Sequence, residues 1–179
     1  MFEQQLAIGK IGESEIASWL KSRGHNVLPI YEIEKNQFKG PAVYPAYGCS
    51  LTAPDMLIFG KKTIWIEAKH KNAFSWHRIS ERKYEKPWVT GIDLHHYEQY
   101  QEVMNLSDWP VWLFFLHRKG IAKDTPTGEV SPTGLFCNDL KFLKNNENHR
   151  HDNHGKSGMV YWHVGVFKKL SNYPLAMHN

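Results

Sequence analysis

The sequence predicts an α/β domain in which a mixed β-sheet is flanked by helices. Three observations predict this class: apolar residues recur at helical spacing near the N-terminus, a tight hairpin of two β-rich runs follows, and a second helical segment precedes an unbroken apolar strand. The 179 residues, of which 41% are hydrophobic, are enough for one domain with a substantial core. We therefore expect residues 1–179 to form a single domain.

The first predicted element is an N-terminal helix. Residues 3–23 are predicted to be helical because Ile16 and Leu20 fall on one stripe and Gly24 is placed to end the helix. Glu13 lies on the same stripe. An acid is unusual there, because this side of the helix faces the core.

A strand, a loop and a hairpin are predicted next. Residues 25–31 predict a short strand, and residues 32–53 predict a loop because they contain two prolines and two glycines among scattered charges. Residues 56–59 and 63–69 are β-rich runs separated by Gly-Lys-Lys, which favours a tight hairpin.

The second half of the chain continues with helix and strand. In order, we expect an irregular segment (72–90), a helix that starts after Thr90 or Asp93 and ends near Asn105, a strand (111–117), a long irregular insertion (118–158) and a C-terminal strand (159–168). The strand VWLFFLH is apolar throughout, which indicates burial on both faces in the middle of a sheet.

The hairpin brings charged side chains together. A hairpin symmetric about Lys61 pairs Asp55 with Glu67, and their Cβ atoms would be roughly 5 Å apart. Because side chains alternate along a strand, Lys69 lies on the same face as Glu67. Two carboxylates that close to each other need a compensating partner, and Mg²⁺ prefers oxygen ligands of this kind. The alternative is a surface salt bridge between Glu67 and Lys69 in a hairpin whose register is shifted by one residue.

A lysine beside such a metal site can serve hydrolytic chemistry. It can orient or deprotonate a water activated by the metal, and it can stabilise negative charge that develops on a phosphate. The spacing therefore indicates phosphodiester hydrolysis.

These residues resemble the motif of the PD-(D/E)XK nuclease superfamily. Its proline and aspartate, followed by an acid, any residue and a lysine, correspond to Pro54, Asp55, Glu67, Ala68 and Lys69. The resemblance covers about residues 5–117 and implies a restriction-endonuclease-like core of helix, three strands, helix and strand (αβββαβ). The segment GKIGESEIA is similar to the opening helix of Holliday-junction resolvases and related phage nucleases.

The resemblance also implies roles for these residues. Asp55 and Glu67 would bind Mg²⁺, for which Mn²⁺ can substitute, and the Ala68 carbonyl would be a further ligand. Lys69 would serve the attacking water, and Glu13 would supply an additional acid. The implied function is DNA hydrolysis, with branched DNA as one candidate substrate and a symmetric homodimer expected if the substrate is a junction.

Two other functions stay open. One is a non-catalytic nucleic-acid-binding module that retains the nuclease fold. The other is a metabolic or structural domain in which the motif occurs by chance.

A basic and aromatic segment follows the motif. Its candidate phosphate-contacting residues are Lys71, His77, Arg78, Arg82, Lys83 and Lys86. They are interleaved with Phe74, Trp76, Tyr84 and Trp88, which could stack on exposed bases. The alternative is a solvated loop that its tryptophans hold to the core. A net charge of +4 and a pI near 9.0 permit a polyanionic partner such as DNA.

Other signals are weaker. His149, His151 and His154 belong to types that bind zinc, but their polar surroundings favour a flexible loop. Cys49 and Cys137 have no spacing typical of a disulfide framework or a zinc site. The sequence shows neither a signal peptide nor an apolar run of roughly 18 residues, so we expect a cytoplasmic protein outside the membrane.

Overall fold

The computed structural model describes residues 2–30, 41–77 and 86–177, with side chains described from residue 9 onward. The elements are α1 (Phe2–Ser22), β1 (Asn26–Pro29), β2 (Ala42–Val43), β3 (Leu51–Thr52), β4 (Met56–Phe59), β5 (Ile64–Lys71), β6 (Ser75–Trp76), β7 (Trp88–Asp93), α2 (Leu94–Ser107), β8 (Val111–His117), β9 (Gly134–Asp139), α3 (Leu140–Lys144), β10 (His149–His151), β11 (Met159–His163) and β12 (Lys168–Ser171). Among the residues just given, no helix is long and apolar enough to cross a membrane.

A six-stranded mixed sheet forms the centre of the protein. Its strand order is β1-β4-β5-β8-β9-β12. β5 and β8 run parallel, and the other neighbouring pairs run antiparallel. The predicted mixed sheet is therefore confirmed. The order α1, β1, β4, β5, α2, β8 also agrees with the predicted core, with short strands added between its members.

The two long helices pack on opposite faces of this sheet. Ile16 and Leu20 of α1 share a buried cluster with Ile66 of β5. Tyr97 of α2 shares the other cluster with Trp65, the preceding residue of the same strand. Since consecutive strand residues point to opposite faces, α1 and α2 cover different sides of β5. The same alternation buries β8 from both sides, as its apolar sequence predicts.

The β4–β5 hairpin has the predicted register. Met56 lies opposite Ile66 and Leu57 lies opposite Trp65, which is the pairing symmetric about Lys61. β5 continues to Lys71, two residues beyond the predicted end. This register is what positions the charged ends of the hairpin.

A second sheet covers part of the α2 side. It has the strand order β10-β11-β7-β6. Trp88 of β7 and Trp162 of β11 are buried in the same cluster as the apolar residues of α2. The prediction that 72–90 is irregular is therefore wrong where β6 and β7 form, while residues 78–85 lie outside the described part.

Gly91 allows β7 to lie close to β11. A Cβ atom at Gly91 would lie 2.3 Å from the Val160 carbonyl oxygen and 2.8 Å from the Tyr161 ring. The glycine thus permits two strands to approach closely, whereas in a sequence it suggests a turn.

The predicted loop 32–53 also contains structure. Ala42 pairs with Thr52 and Val43 pairs with Leu51, so β2 and β3 form a small hairpin. Residues 31–40 lie outside the described part of the chain.

The predicted irregular insertion 118–158 is wrong for three elements. It contains β9, α3 and β10. β9 pairs with β8 and buries Leu135, Phe136 and Cys137. This apolar run is short, so tertiary pairing with β8 decides its conformation more than its own pattern does. The predicted C-terminal strand is divided: β11 and β12 belong to different sheets, with a 3-10 turn at Val164–Val166 between them.

Candidate active site

Two carboxylates meet at the open end of the β4–β5 hairpin. Asp55 immediately precedes β4, and the observed register places it opposite Glu67. Its Oδ2 atom accepts a hydrogen bond of 2.8 Å from the backbone amide of Ala68. Glu67 lies on the central strand with a relative exposure of 1%. The register therefore brings the two predicted acids opposite each other, and the backbone amide of the residue after Glu67 holds Asp55 in place.

Lys69 completes the predicted set. Its ammonium forms an ion pair with the Glu67 carboxylate, and its side chain is 27% exposed to solvent. Burial lowers the pKa of Lys69, but the negative charges of Glu67 and Asp55 outweigh this effect and raise the pKa above its ordinary value. Lys69 is therefore a partly exposed cation in contact with Glu67.

Burial and mutual repulsion disfavour the ionised form of the hairpin acids. Burial and the negative charge of Glu67 raise the pKa of Asp55 well above its ordinary value, although Lys69 and the Ala68 amide act in the opposite direction. A divalent cation between the two carboxylates would relieve this repulsion. The donors are carboxylate oxygens, which are oxygen ligands of the kind that Mg²⁺ prefers. The residues present therefore fit Mg²⁺.

This donor set is small. Within the described ranges, no three His, Cys, Asp or Glu side chains are grouped so that they could hold a metal ion. Mg²⁺ commonly uses one or two carboxylates and keeps several waters or phosphate oxygens as its other ligands. Two carboxylates are thus a suitable number for it.

Glu13 influences the site electrostatically from α1, on the opposite side of the sheet. It is half-buried on α1, and its pKa is raised first by burial and then by the negative charge of Glu67, against the effects of Lys69 and Lys10. Gly12 brings α1 close to β5, because a Cβ atom there would lie 2.4 Å from the His70 Cβ atom. Glu13 is therefore within electrostatic reach of the hairpin acids, as its position on the apolar stripe suggests.

A cavity of about 440 Å³ opens in front of these residues. Asp55, Glu67 and Lys69 line one side of it. The β2–β3 hairpin contributes residues from 41–42 and 50–53, and α2 contributes His96 and Tyr100. The site is therefore a concave surface that combines charged and polar groups, as substrate sites usually do.

Tyr100 of α2 is a further residue of the cavity, and the sequence analysis did not identify it as a site residue. It is buried, and burial followed by the negative charges of Glu67 and Asp55 raises its pKa well above its ordinary value. The phenol therefore keeps its proton beside the acids. Tyr100 adds a hydroxyl group to the wall of the cavity.

His96 is the second group that α2 brings to the cavity. Burial and the positive charge of Lys69 lower its pKa, although Glu67 and Asp93 oppose this. Its Nδ1 atom is buried and has no hydrogen-bond partner among the described residues. The available sequence signal was the spacing of His96 and Tyr100, which puts them on one helix face.

The predicted phosphate-contacting residues lie in different surroundings. Lys71 is half-buried at the end of β5, and burial followed by the charge of Lys69 lowers its pKa to about 8, against the effect of Asp93. The Lys86 ammonium lies 3.2 Å from a Glu129 carboxylate oxygen. Arg78, Arg82 and Lys83, like Tyr84, lie outside the described residues.

The aromatic residues of this segment belong largely to the core. Phe74 and Trp88 are almost completely buried. Trp76 is partly buried and packs edge to face against Trp88 at 4.8 Å between ring centroids. The prediction that Phe74 and Trp88 stack on bases is therefore wrong, and the alternative that aromatics hold the segment to the core is correct for them.

The histidines of the second sheet form stacked pairs. The His149 ring lies 3.8 Å from the His77 ring, and the His151 ring lies 3.6 Å from the His154 ring, between centroids. His149 and His151 belong to β10, so the expected flexible loop is wrong there. His77, a predicted phosphate contact, therefore packs against β10.

No protein-family model matches the chain. No curated protein matches it either. The solved structure of Hjc from Archaeoglobus fulgidus, a Holliday junction resolvase from an archaeal hyperthermophile, aligns over 88% of this chain and 90% of that chain, with a TM-score of 0.47 and 11% sequence identity.

Proposed function

We propose that the protein is a Mg²⁺-dependent nuclease with a restriction-endonuclease-like fold that hydrolyses DNA phosphodiester bonds. The observation that carries this proposal is the pairing of Asp55 and Glu67 at one end of the central hairpin, with Lys69 beside them and a cavity in front. The charged end of an otherwise apolar hairpin is difficult to explain by stability alone, since buried like charges oppose folding.

In this proposal Asp55, Glu67 and the Ala68 carbonyl hold the metal ion, which is Mg²⁺ or its substitute Mn²⁺. A bound Mg²⁺ supplies a Lewis acid and makes water a stronger nucleophile at neutral pH. Asp55 is positioned for this task by the Ala68 amide, and Glu67 is positioned by its burial on the central strand. The chain thus fixes both carboxylates before substrate arrives.

Lys69 acts as a positive charge at the reaction centre. Because the acids raise its pKa, its ammonium stays protonated at neutral pH, which favours orientation of water and stabilisation of charge on the phosphate over proton abstraction. Its exposed fraction leaves it accessible from the cavity.

Glu13 is an auxiliary acid in this scheme. It contributes negative charge from α1 and thereby helps to raise the pKa of Asp55. The neutral His96 imidazole can donate or accept a hydrogen bond at the cavity wall, where the phosphate backbone of DNA would lie.

DNA is the proposed polyanionic partner. The positive charges that follow the active strand begin with Lys71 and continue through the basic segment to Lys86. A branched substrate with two scissile strands would require two sites, and therefore a symmetric homodimer.

The test is cleavage of labelled supercoiled, linear and four-way-junction DNA in Mg²⁺, in Mn²⁺ and in EDTA. We expect metal-dependent cleavage that Glu67→Gln lowers by roughly a hundredfold or more, because a metal supplies several kcal/mol of transition-state stabilisation. Glu98→Gln is the matched control, since Glu98 is exposed on α2 and does not line the cavity.

The outcomes separate the candidate functions. Full activity in Glu67→Gln would refute the site. Binding of DNA without metal-dependent cleavage would favour the binding module. Failure to retain any nucleic acid at low salt would indicate a chance motif in a domain of another function.

A further inference from the structure

The β2–β3 hairpin carries two aromatic side chains that lie outside the core. Tyr44 is 81% exposed and Tyr47 is 94% exposed. Tyrosine rings normally bury a large area in a core or an interface. Exposure of both rings in one short connection therefore suggests a binding role.

The base of this hairpin is firmly attached to the rest of the protein. The Thr52 backbone amide donates a hydrogen bond of 2.7 Å to the Gln99 side chain of α2. The Ala53 amide donates one of 2.7 Å to the Pro41 carbonyl, and Leu51 is buried in the core. The two tyrosines therefore extend from an anchored base.

The hairpin also forms a wall of the active-site cavity. Pro41 and Ala42 line the cavity just before the tip of the hairpin (residues 44–49), and Ser50 lines it just after the tip. Tyr44 and Tyr47 are thus two to three residues along the chain from the lining of the cavity that holds Asp55 and Glu67. A polymer bound at those acids would pass close to the tip.

The side chains at the tip of the β2–β3 hairpin are suited to the bases of a nucleic acid rather than to its phosphates. Residues 44–49, YPAYGC, contain no charged side chain, so they are poorly suited to phosphate. Their tyrosines offer flat π-faces, which stack on any base. Bases inside a duplex already stack on each other, whereas unpaired bases have free faces.

We propose that Tyr44 and Tyr47 stack on nucleobases that lie outside a double helix, next to the phosphodiester bond held in the cavity. This inference rests on the proposed nuclease function and narrows its substrate to single-stranded DNA or to DNA with unpaired nucleotides at a branch or end. The β2–β3 hairpin then selects the substrate, and the β4–β5 hairpin cuts it.

The first test measures binding in EDTA, so that cleavage does not interfere. A fluorescent single-stranded oligonucleotide and the corresponding duplex are titrated with the unaltered protein, with the double variant Tyr44→Ala/Tyr47→Ala and with Tyr44→Phe/Tyr47→Phe. We expect the alanine variant to lose about tenfold or more in single-strand affinity, as stacking on aromatic side chains predicts. Duplex affinity should stay within about twofold, and the phenylalanine variant should bind single strands like the unaltered protein.

Phe142→Ala is the control for removing an exposed aromatic side chain. Phe142 lies on α3, is 46% exposed and does not line the cavity. We expect this variant to bind both DNAs normally. Equal losses for single strands and duplex in the tyrosine variant, or no loss, would overturn the proposal.

The second test uses the unaltered chain. Neither cysteine is in a disulfide; Cys49 is exposed at the tip and Cys137 is buried. A thiol reagent under native conditions therefore reports on Cys49. Single-stranded DNA should slow this reaction more than an equal concentration of bound duplex, and equal protection by both would contradict base stacking at the tip.

These measurements distinguish failure of the two proposals. A protein that binds and cleaves DNA in a metal-dependent way, but whose tyrosine variant is unimpaired, refutes only the role of the hairpin. A protein that binds neither DNA refutes both.

Discussion

Asp55 and Ala68 are joined by a hydrogen bond of 2.8 Å from the Ala68 amide to the Asp55 Oδ2 atom. The first acid of the site is thus held by the backbone of the residue that follows the second acid. This contact allows the charge of Asp55 to be separated experimentally from its structural role.

Asp55→Asn and Asp55→Ala should differ in stability but agree in activity. Asparagine keeps a carbonyl oxygen that can accept the Ala68 hydrogen bond, whereas alanine leaves the amide without it, at a cost of about 1–3 kcal/mol in the free energy of unfolding. Both variants should lose metal-dependent cleavage. Urea denaturation and a cleavage assay measure the two effects, and substantial cleavage by Asp55→Asn would contradict the ligand role.

The stability of Asp55→Asn relative to the unaltered protein should depend on pH. Because folding raises the pKa of Asp55, the folded state binds its proton more tightly than the unfolded chain, and ionisation of Asp55 opposes folding. This penalty is absent below the unfolded pKa and grows as pH rises through the folded pKa. In metal-free buffer, the variant should therefore be the more stable protein at pH 8, with an advantage that shrinks toward pH 4. A constant difference across that range would show that folding does not raise the pKa.

Mg²⁺ should stabilise the unaltered protein against heat. An ion that binds only the folded state adds about 2.7 kcal/mol at a concentration of a hundred times its Kd. The shift in Tm should disappear in Glu67→Gln and should weaken as pH falls, because protons compete for the ligands. Equal stabilisation of Glu98→Gln and Glu67→Gln would place the ion elsewhere.

Glu13→Gln should lower activity while raising stability at neutral pH. Its raised pKa means that ionised Glu13 opposes folding, so removal of the charge should favour the folded state. Its influence on the ligands suggests a loss of cleavage of about 10–100-fold, which is typical of groups that support a metal site. A variant that is stabilised but fully active would remove Glu13 from the scheme.

Gly12→Ala should destabilise the protein although alanine is the better helix former. Its Cβ atom would lie 2.4 Å from the His70 Cβ atom, so α1 would have to move from β5 at a cost of about 1–3 kcal/mol. Gly9→Ala is the matched control: its nearest neighbour is a Glu13 carboxylate oxygen at 3.9 Å. That variant should gain up to about 1 kcal/mol, and denaturation curves of the pair test the close packing of the helix.

The hairpin could be predicted from sequence because its geometry is local. A short turn and the alternation of side chains fix the register, and the register alone places Asp55 opposite Glu67. Lys69 follows two residues later on the same face. The inward position of Glu13 could likewise be inferred from one helical stripe.

The cavity wall could not be predicted in this way. The hydrogen bond from Thr52 to Gln99 joins residues that are 47 positions apart, and no local pattern indicates it. Similarly, Phe74 and Trp88 are aromatic residues in a basic segment, and only the packing of the second sheet shows that they are core residues. The sequence pattern identified the acids, but tertiary contacts determined what surrounds them.

The position of β5 between β4 and β8 has a consequence for the timing of local motion. Amides on a strand with neighbours on both sides exchange with solvent hydrogen only when a large part of the sheet opens, whereas the exposed connection between β2 and β3 opens at lower free energy. Hydrogen exchange should therefore be slow at Glu67 and fast near Tyr47. The exposed tip between β2 and β3 can then adjust to an arriving strand of DNA while the acids on the central sheet keep their geometry.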